Sequence, residues 1–430
     1  MLLWLPKFIF LRFILVRIGV LGTWQKNIGP LLKYQLCNQI TKVRVLQGLL
    51  EALFDGISIG SVLLIAALGL AIVFGLMGVI NMAHGELMMI GAYTTFVVQN
   101  ICKSLGGFWF EIYILLAIPI AFLVAASMGL LLEQSIIRYL YGRPLETLLA
   151  TWGVSLILQQ FVRSVSPIML IGLAIFSLLF FGPVWLFSRK KNFKAKQRWL
   201  SPLLFFISAS FALTVSNLLA VSYGLTLTKP WFGAQGVDVS APTWLRGGLP
   251  IGTFQVPYAR VFIIILTIVC VACVYLFLQR SIWGMRIRAV TQNRDMSSCL
   301  GIPVRTVDAL TFALGSGLAG IAGCAISLLG SVGPNTGQDY IVDAFMVVVV
   351  GGVGKLLGSI VAALIIGTAK FLIGSGTLAS LFEPIKPLAE FFNFFATTSM
   401  AKVMIFALII LFLQFRPAGL FPQKGRSVDA

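Results

Sequence analysis

Long uncharged apolar runs alternate with short polar or basic segments along most of this chain. Because an α-helix rises 1.5 Å per residue, about 20 apolar residues are needed to cross the roughly 30 Å hydrocarbon core of a bilayer. The runs predict membrane spans at residues 57–79, 112–132, 147–161, 168–187, 200–221, 261–279, 309–329, 359–373 and 400–413. The pattern therefore predicts an all-α, polytopic transmembrane helix bundle.

A polar cluster interrupts this pattern directly after the first span. The segment INMAHGELMMIGAY at residues 80–93 contains Asn81, His84 and Glu86, and His84 is the only histidine of the chain. An ionisable side chain at membrane depth costs on the order of 3 kcal/mol or more, so such groups usually face the bundle interior or an aqueous path. We take this segment as the first candidate site.

Composition excludes a water-soluble protein, since 59% of the residues are hydrophobic and only 11% are charged. In a soluble protein the net charge of +18 would indicate a nucleic-acid partner. Here the basic residues lie in short loops between apolar runs, which is typical of cytoplasmic loops of membrane proteins. The six cysteines are scattered, and we expect neither a metal site nor a disulfide framework.

The basic loops predict which side of the membrane each segment faces. Residues 223–258 contain only Lys229, Asp238 and Arg246 as charged residues, and we expect them to be external. Residues 1–48 are predicted to be an interfacial or poorly ordered basic and apolar extension, and both chain termini are predicted to be cytoplasmic. The loops predicted to be cytoplasmic lie at residues 138–143, 189–198, 280–305 and 416–426.

The number of crossings between two cytoplasmic loops must be even, and this constrains the polar cluster. Residues 57–132 already contain two long spans, so residues 86–102 are not expected to be an ordinary third span. We predict a re-entrant or broken helix, with Gly85 at the break, in a place where it is buried in protein or lines a cavity.

The same argument predicts a second irregular segment near the C-terminus. Between Arg305 and Arg416 the long spans are one short of an even number, and residues 341–350 are the only apolar run left to supply the missing crossing. That run is too short for a regular span, and it ends at the glycines Gly351, Gly352 and Gly354. Two broken helices in inverted-repeat-like halves predict a translocation site at the membrane midplane.

Polar side chains elsewhere complete a predicted substrate path. Thr151, Ser155 and Gln159 repeat at i, i+4 and i+8, so they share one face of a helix. They would either hold helices together, at roughly 0.6 to 2 kcal/mol each, or line the path. For His84 and Glu86 the alternatives are stabilisation of the helix break and direct substrate contact. The full set is Asn81, His84, Glu86, Thr151, Ser155, Gln159 and Asp343.

A long polar stretch at residues 280–312 is predicted to be helical and then broken at Gly301, Ile302 and Pro303. A loop of this size favours a partner surface, with Arg286, Arg288 and Arg294 as contacts. A solvated basic loop beside lipid is the alternative.

Two glycine-rich segments match parts of nucleotide-binding motifs. GSGLAG at residues 315–320 opens no βαβ unit, so close helix packing explains it better. Residues 354–355 lack the rest of a phosphate-binding loop. We therefore predict no cofactor on this chain, with any ATP hydrolysed by another chain.

Five segments of the chain carry a family resemblance: GVINMAHGELMMIGAYTTFVVQ at residues 78–99, RPLETLLATWGVSLILQQ at 143–160, and the segments at 288–323, 340–359 and 416–426. They resemble the permease subunits of ABC importers of the branched-chain amino acid class, and are especially similar to bacterial urea and short-chain amide permeases. The resemblance covers most of residues 49–427, whereas the region at about 164–228, with two additional spans, departs from it.

The resemblance implies a bacterial inner-membrane protein that works with several partners. These are a second related permease, two cytoplasmic ATP-binding subunits and a periplasmic solute-binding protein. It also implies that the segment around residues 289–303 couples the permease to the ATPases. The predicted coupling residues are Arg286, Arg288, Ala289, Asn293, Arg294, Gly301, Ile302 and Pro303.

The main functional expectation is a permease subunit for urea or short-chain amides. Urea is small and neutral, so amide and hydroxyl groups suit it, whereas an amino acid would need countercharges or helix termini. Branched-chain amino acid transport is the alternative within the importer class. A self-sufficient channel or proton-coupled transporter using His84, Glu86 and Asp343 is the alternative of a different class. An enzyme is disfavoured because the sequence shows no metal cluster or nucleophile and base pair.

Overall fold

The structure is a computed structural model, and it describes residues 30–188, 205, 207–218, 231–232, 236–251, 254–382 and 386–421. The predicted basic loop at 189–198 and most of the extension at 1–48 lie outside the described residues. The helices of the N-terminal half are α1 (Pro30–Met77), α2 (His84–Leu105), α3 (Gly107–Ser135), α4 (Pro144–Ser164), α5 (Pro167–Ser188) and α6 (Ile207–Leu218).

The C-terminal half begins with a short hairpin and continues with helices. Strands β1 (Gly248–Ile251) and β2 (Phe254–Pro257) are antiparallel, with Gly248 opposite Pro257. The helices are α7 (Tyr258–Arg280), α8 (Ile282–Gln292), α9 (Arg294–Cys299), α10 (Val304–Ser327), α11 (Thr336–Gly351), α12 (Leu356–Gly374), α13 (Thr377–Leu381), α14 (Lys386–Phe394) and α15 (Thr398–Phe415).

Among the described residues, seven helices are long and apolar enough to span a membrane, which confirms the predicted polytopic helical fold. They are Gly48–Met77, Gly107–Tyr139, Pro144–Ser164, Tyr258–Arg280, Val304–Ser327, Leu356–Gly374 and Thr398–Phe415. In the region of the two additional predicted spans, the described residues form α5, with a short apolar stretch at Ile171–Phe180, and the short apolar helix α6 (Ile207–Leu218).

The described residues divide into two compact units. One contains the residues up to 54 together with 370–402, and in it the rings of Phe382 and Phe392 stack with centroids 5.4 Å apart. The other contains 55–369 together with the residues from 403 onward, and it holds every candidate site residue.

The core of the larger unit forms around α10, which packs against both α2 and α3. Small residues make this possible: a Cβ added at Gly315 would lie 2.7 Å from the carbonyl oxygen of Gly69 in α1. Backbones at that distance leave no room for a side chain, so the glycine-rich segment at 315–320 serves close helix packing, as predicted.

The loop before β1 is fastened to the ends of two helices. The side chains of Gln99 and Tyr113 both donate hydrogen bonds to the carbonyl oxygen of Ser240, at 2.8 Å and 2.9 Å. Trp244 Nε1 donates to the carbonyl oxygen of Glu111 at 2.8 Å. These bonds hold the predicted external loop against the bundle.

Candidate functional site

The interruption between α1 and α2 lies at residues 78–83, at the start of the predicted polar cluster, whereas Gly85, the predicted break, is the second residue of α2. Helix α1 ends at Met77, Gly78 follows with φ of +68°, and α2 begins at His84. The side-chain Oδ1 of Asn81 accepts a hydrogen bond from the backbone N–H of Ala83 at 3.0 Å, which stabilises the turn. His84 and Glu86 are almost fully buried, so α2 starts inside the protein.

A second helix, α11, also begins inside the larger unit. It starts at Thr336 after Asn335 and ends at Gly351, and Gly352 follows with φ of +96°. Its 16 residues span about 24 Å at 1.5 Å per residue, which is less than the hydrocarbon core. The segment predicted to be irregular, residues 341–350, instead lies within this short continuous helix, and the predicted glycine turn lies at its C-terminus.

The N-termini of α2 and α11 meet at a pair of glycines. A Cβ added at Gly337 would lie 2.6 Å from the carbonyl oxygen of Gly85 and 2.9 Å from Oε2 of Glu86. Only hydrogen atoms fit between the two backbones at this point. Since the N-terminus of a helix carries a partial positive charge, two such charges lie close together here, and the carboxylate of Glu86 lies beside them.

The polar face predicted on α4 contacts these helix starts. Thr151 Oγ1 accepts a hydrogen bond from the backbone N–H of Met82 at 3.1 Å. Ser155 Oγ donates to Oε1 of Glu86 at 3.0 Å. All three side chains of the predicted face are buried. The face therefore joins α4 to the break and to the first turn of α2, as the interhelical interpretation predicts.

Two residues that the sequence analysis did not identify extend this contact to α11. Asn335 precedes α11, and its Oδ1 accepts hydrogen bonds from Gln159 Nε2 at 2.7 Å and from Arg163 Nη2 at 2.5 Å. Arg163 continues the i+4 series of Thr151, Ser155 and Gln159, and this spacing was a signal that could have identified it. The guanidinium group of Arg163 thus places a positive charge beside Asn335, at the edge of the buried polar cluster.

The predicted substrate-path residues are only partly brought together. Hydrogen bonds connect Thr151, Ser155 and Glu86 around the break. His84 instead points toward α1, where its Nε2 lies 3.1 Å from the carbonyl oxygen of Ala66. Asp343 is buried further along α11.

Several buried polar atoms around the start of α2 have no hydrogen-bond partner among the described residues. They are Oε2 of Glu86, Nδ2 of Asn81 and Nδ1 of His84. Unsatisfied buried polar atoms are rare and need an explanation, such as a ligand or water. One oxygen of Glu86 thus joins α2 to α4 through Ser155, while the other is buried without a hydrogen-bond partner among the described residues.

The predicted coupling segment has the expected form of helix followed by a break. Helices α8 and α9 meet at Asn293, whose Oδ1 accepts from the backbone N–H of Met296 at 3.0 Å. Residues 300–303 are not helical, Gly301 has φ of +79°, and α10 begins at Val304. Arg288 is exposed and donates to Oε1 of Gln279 at 2.7 Å.

Arg294 makes its contacts within the chain. Its guanidinium pairs with the carboxylate of Asp308 in α10 and lies 4.6 Å above the centre of the Tyr141 ring. Burial raises the pKa of the Tyr141 hydroxyl, and the nearby carboxylates of Asp308 and Glu133 raise it further. Arg294 therefore fastens the coupling segment to the start of α10. Beside it lies a groove of about 510 Å³, bordered by the end of α1 and by α8.

No cluster of three or more His, Cys, Asp or Glu side chains that would hold a metal ion occurs in the part of the chain that the structure describes.

Comparison with known proteins gives a consistent result over most of the chain. Residues 52–413 match the family model of the branched-chain amino acid transport system permease component. The high-affinity branched-chain amino acid transport system permease protein BraD of Pseudomonas aeruginosa is 25% identical over 373 residues, which is 86% of this chain and 95% of that protein. The corresponding LivH of Escherichia coli K12 is 24% identical over 373 residues, 86% of this chain and 94% of LivH.

More distant relatives match shorter segments. The probable branched-chain amino acid transport permease LivH of Methanocaldococcus jannaschii is 25% identical over 313 residues, 73% of this chain and 77% of that protein. The ribose import permease RbsC of Bacillus subtilis is 32% identical over 101 residues, 22% of this chain and 31% of that protein. No solved structure matches the chain significantly.

Proposed function

The chain belongs to the family of branched-chain amino acid transport system permeases, and on this premise we propose that it forms the membrane path of an ABC importer for branched-chain amino acids. The observation that carries the proposal is the meeting of two helix N-termini beside a buried carboxylate. BraD and LivH, which their names assign to branched-chain amino acid transport, support the choice of substrate.

The cluster has the charges that an amino acid requires. The substrate carboxylate is matched by the N-termini of α2 and α11, and the substrate ammonium is matched by Oε2 of Glu86, which is buried without a partner among the described residues. Ile341 lies beside Gly85, because a Cβ added at Gly85 would lie 2.9 Å from the Cβ of Ile341. The aliphatic side chain of a substrate bound here would therefore contact the apolar side chain of Ile341.

In the sequence, the scarcity of buried charged side chains favours urea, whereas an amino acid would need fixed countercharges or helix termini. The structure contains two such termini at one point, and the comparisons support branched-chain amino acids and not urea. This changes the order of the two candidates.

Urea or a short-chain amide remains the second candidate because of the neutral groups in the same cluster. Thr151, Ser155, Gln159 and Asn81 supply hydroxyl and amide groups, and Nδ2 of Asn81 has no partner among the described residues. These groups would bind an uncharged amide without a charged clamp.

The proposal includes partners and a direction of energy flow. ATP is hydrolysed on two cytoplasmic subunits, a periplasmic protein delivers the substrate, and a second related permease completes the path across the bacterial inner membrane. The segment from α8 to Pro303 receives the motion of the ATPases and passes it to α10, whose first turns are tied to Arg294 through Asp308. The ATPases can shift the permease between inward-open and outward-open states only if they bind the coupling segment differently in the two states.

Uptake by intact cells tests the proposal. Cells without this chain should lose uptake of labelled leucine at low external concentration, and the wild-type chain should restore it. Glu86→Gln should restore much less, since it removes the buried negative charge. Glu146→Gln is the matched control, because that carboxylate is exposed and pairs only with Arg143 at the surface.

The remaining outcomes separate the alternatives. Loss of urea uptake with normal leucine uptake would support the second candidate and overturn the first. Uptake by this chain alone in liposomes, without ATP or other subunits, would identify a channel or ion-coupled transporter. Normal uptake of both compounds in cells lacking the chain would contradict both importer proposals.

A further inference from the structure

A groove outside the site already described lies between the C-terminal end of α3 and the N-terminal end of α10. Its volume is about 310 Å³, and its lining includes Arg138, Arg305, Gln134, Thr306, Leu130 and Leu310. Both helices end here at the surface that the basic loops mark as cytoplasmic. The groove therefore lies at the level of the lipid headgroups.

Two arginines give the groove a positive charge. Arg138 directs Nε and Nη2 toward the carboxylate of the fully buried Glu133, with Nη2 3.2 Å from Oε2. Arg305 is exposed and forms no ion pair among the described residues. The charge of Arg138 is thus balanced by Glu133, whereas that of Arg305 is not balanced by any carboxylate among the described residues.

The start of α10 adds to this charge. Arg305 and Thr306 lie in the first turn of this 24-residue helix, whose N-terminus carries a partial positive charge. The Thr306 hydroxyl and the Gln134 amide supply hydrogen-bond donors at the same level. The polar half of the groove is suited to a phosphate group.

The other half of the groove is apolar. Leu310 is 38% exposed, and Leu130 lines the groove one turn before Gln134. A free phosphate ion would use only the arginine end, whereas a phospholipid would place its phosphate at the arginines and an acyl chain along the two leucines. Basic grooves between transmembrane helices on the cytoplasmic side bind anionic lipid headgroups in this way.

We propose that this groove binds one anionic phospholipid, with the phosphate between Arg138 and Arg305 and an acyl chain along Leu130 and Leu310. The bound lipid connects α3 to the first turn of α10. Since α10 begins directly after Pro303, the lipid holds the end of the coupling segment in place. Anionic lipid is therefore expected to stabilise the chain more than zwitterionic lipid.

The proposal is tested on the purified full-length chain by native mass spectrometry, with phosphatidylglycerol and phosphatidylcholine titrated separately. The wild-type chain should retain one phosphatidylglycerol more tightly than any phosphatidylcholine. Arg305→Gln should weaken this binding about fivefold, since one basic residue near anionic lipid contributes about 1 kcal/mol. Arg280→Gln is the matched control, because Arg280 is also exposed at the end of a span, in α7, but does not line the groove.

A second variant tests the other arginine without leaving a buried carboxylate unpaired. The double variant Glu133→Gln with Arg138→Gln should also weaken phosphatidylglycerol binding. Equal retention of the two lipids, or an equal loss in Arg280→Gln, would overturn the proposal in favour of a nonspecific lipid shell. Displacement of the lipid by millimolar inorganic phosphate would also overturn it, because it would identify a site for a soluble anion.

Discussion

Replacing Gly337 by alanine should force apart the two helix N-termini that form the candidate site. The new Cβ would lie 2.6 Å from the carbonyl oxygen of Gly85, whereas ordinary contacts begin at 3.4 Å. The backbones of α2 and α11 must therefore separate by about 0.8 Å at this point, since backbone atoms on both sides leave no flexible group to move. Overpacking of this kind typically costs about 1–3 kcal/mol.

The matched control is Gly153→Ala in α4. A Cβ at Gly153 would meet nothing within 4 Å, and alanine favours a helix over glycine by about 0.5–1 kcal/mol. Thermal unfolding of the purified full-length chain, followed by fluorescence, measures both variants. Gly337→Ala should lower the apparent Tm and reduce substrate uptake, while Gly153→Ala should leave both unchanged or raise the Tm. Equal Tm and uptake in the two variants would refute the close meeting of α2 and α11.

Two further predictions concern hydrogen bonds that join helices. Ser155→Ala should lower the free energy of unfolding by about 1.5–3 kcal/mol, because it leaves the second oxygen of the buried Glu86 without a partner. Ser127→Ala is the control in the same unfolding assay, because it removes only an exposed hydrogen bond within one helix. Unchanged Tm in Ser155→Ala would contradict the assigned contact. Arg294→Gln and Asp308→Asn should each lower the Tm, and the double variant should lower the Tm by less than the sum of the two single decreases. Additive decreases in Tm would show that the two side chains do not interact.

The helices of the larger unit were largely predictable because their signals are local. An apolar run of sufficient length determines a span, and the polar residues at Asn81 and His84 marked where α1 gives way to α2. The spacing of Thr151, Ser155 and Gln159 placed them on one buried face, since side-chain direction in a helix follows from residue number alone. The glycines from Gly351 onward likewise marked the end of α11.

Contacts between distant segments were not predictable in this way. Arg294 was predicted to contact an ATPase, which remains a prediction, but its pairing with Asp308 and its contact with Tyr141 were not predicted. Asn335 was not identified, because it carries no distinctive signal until α4 is placed beside the start of α11, and Arg163 was missed although it continues the i+4 series of α4. Which helices become neighbours depends on the packing of the whole bundle, and no short stretch of sequence specifies it.

The choice of substrate shows most clearly the difference between what the sequence predicts locally and what the packing of the helices decides. The sequence by itself determined a polytopic helical bundle that is interrupted at the polar cluster after the first span and has a short apolar segment near Asp343, because hydrophobic length and helix-breaking residues act locally. Only the tertiary structure placed Gly85 against Gly337 and thus brought two helix N-termini together beside Glu86. The charge at those termini belongs to the backbone and not to any side chain, so counting charged residues in the sequence could not reveal it.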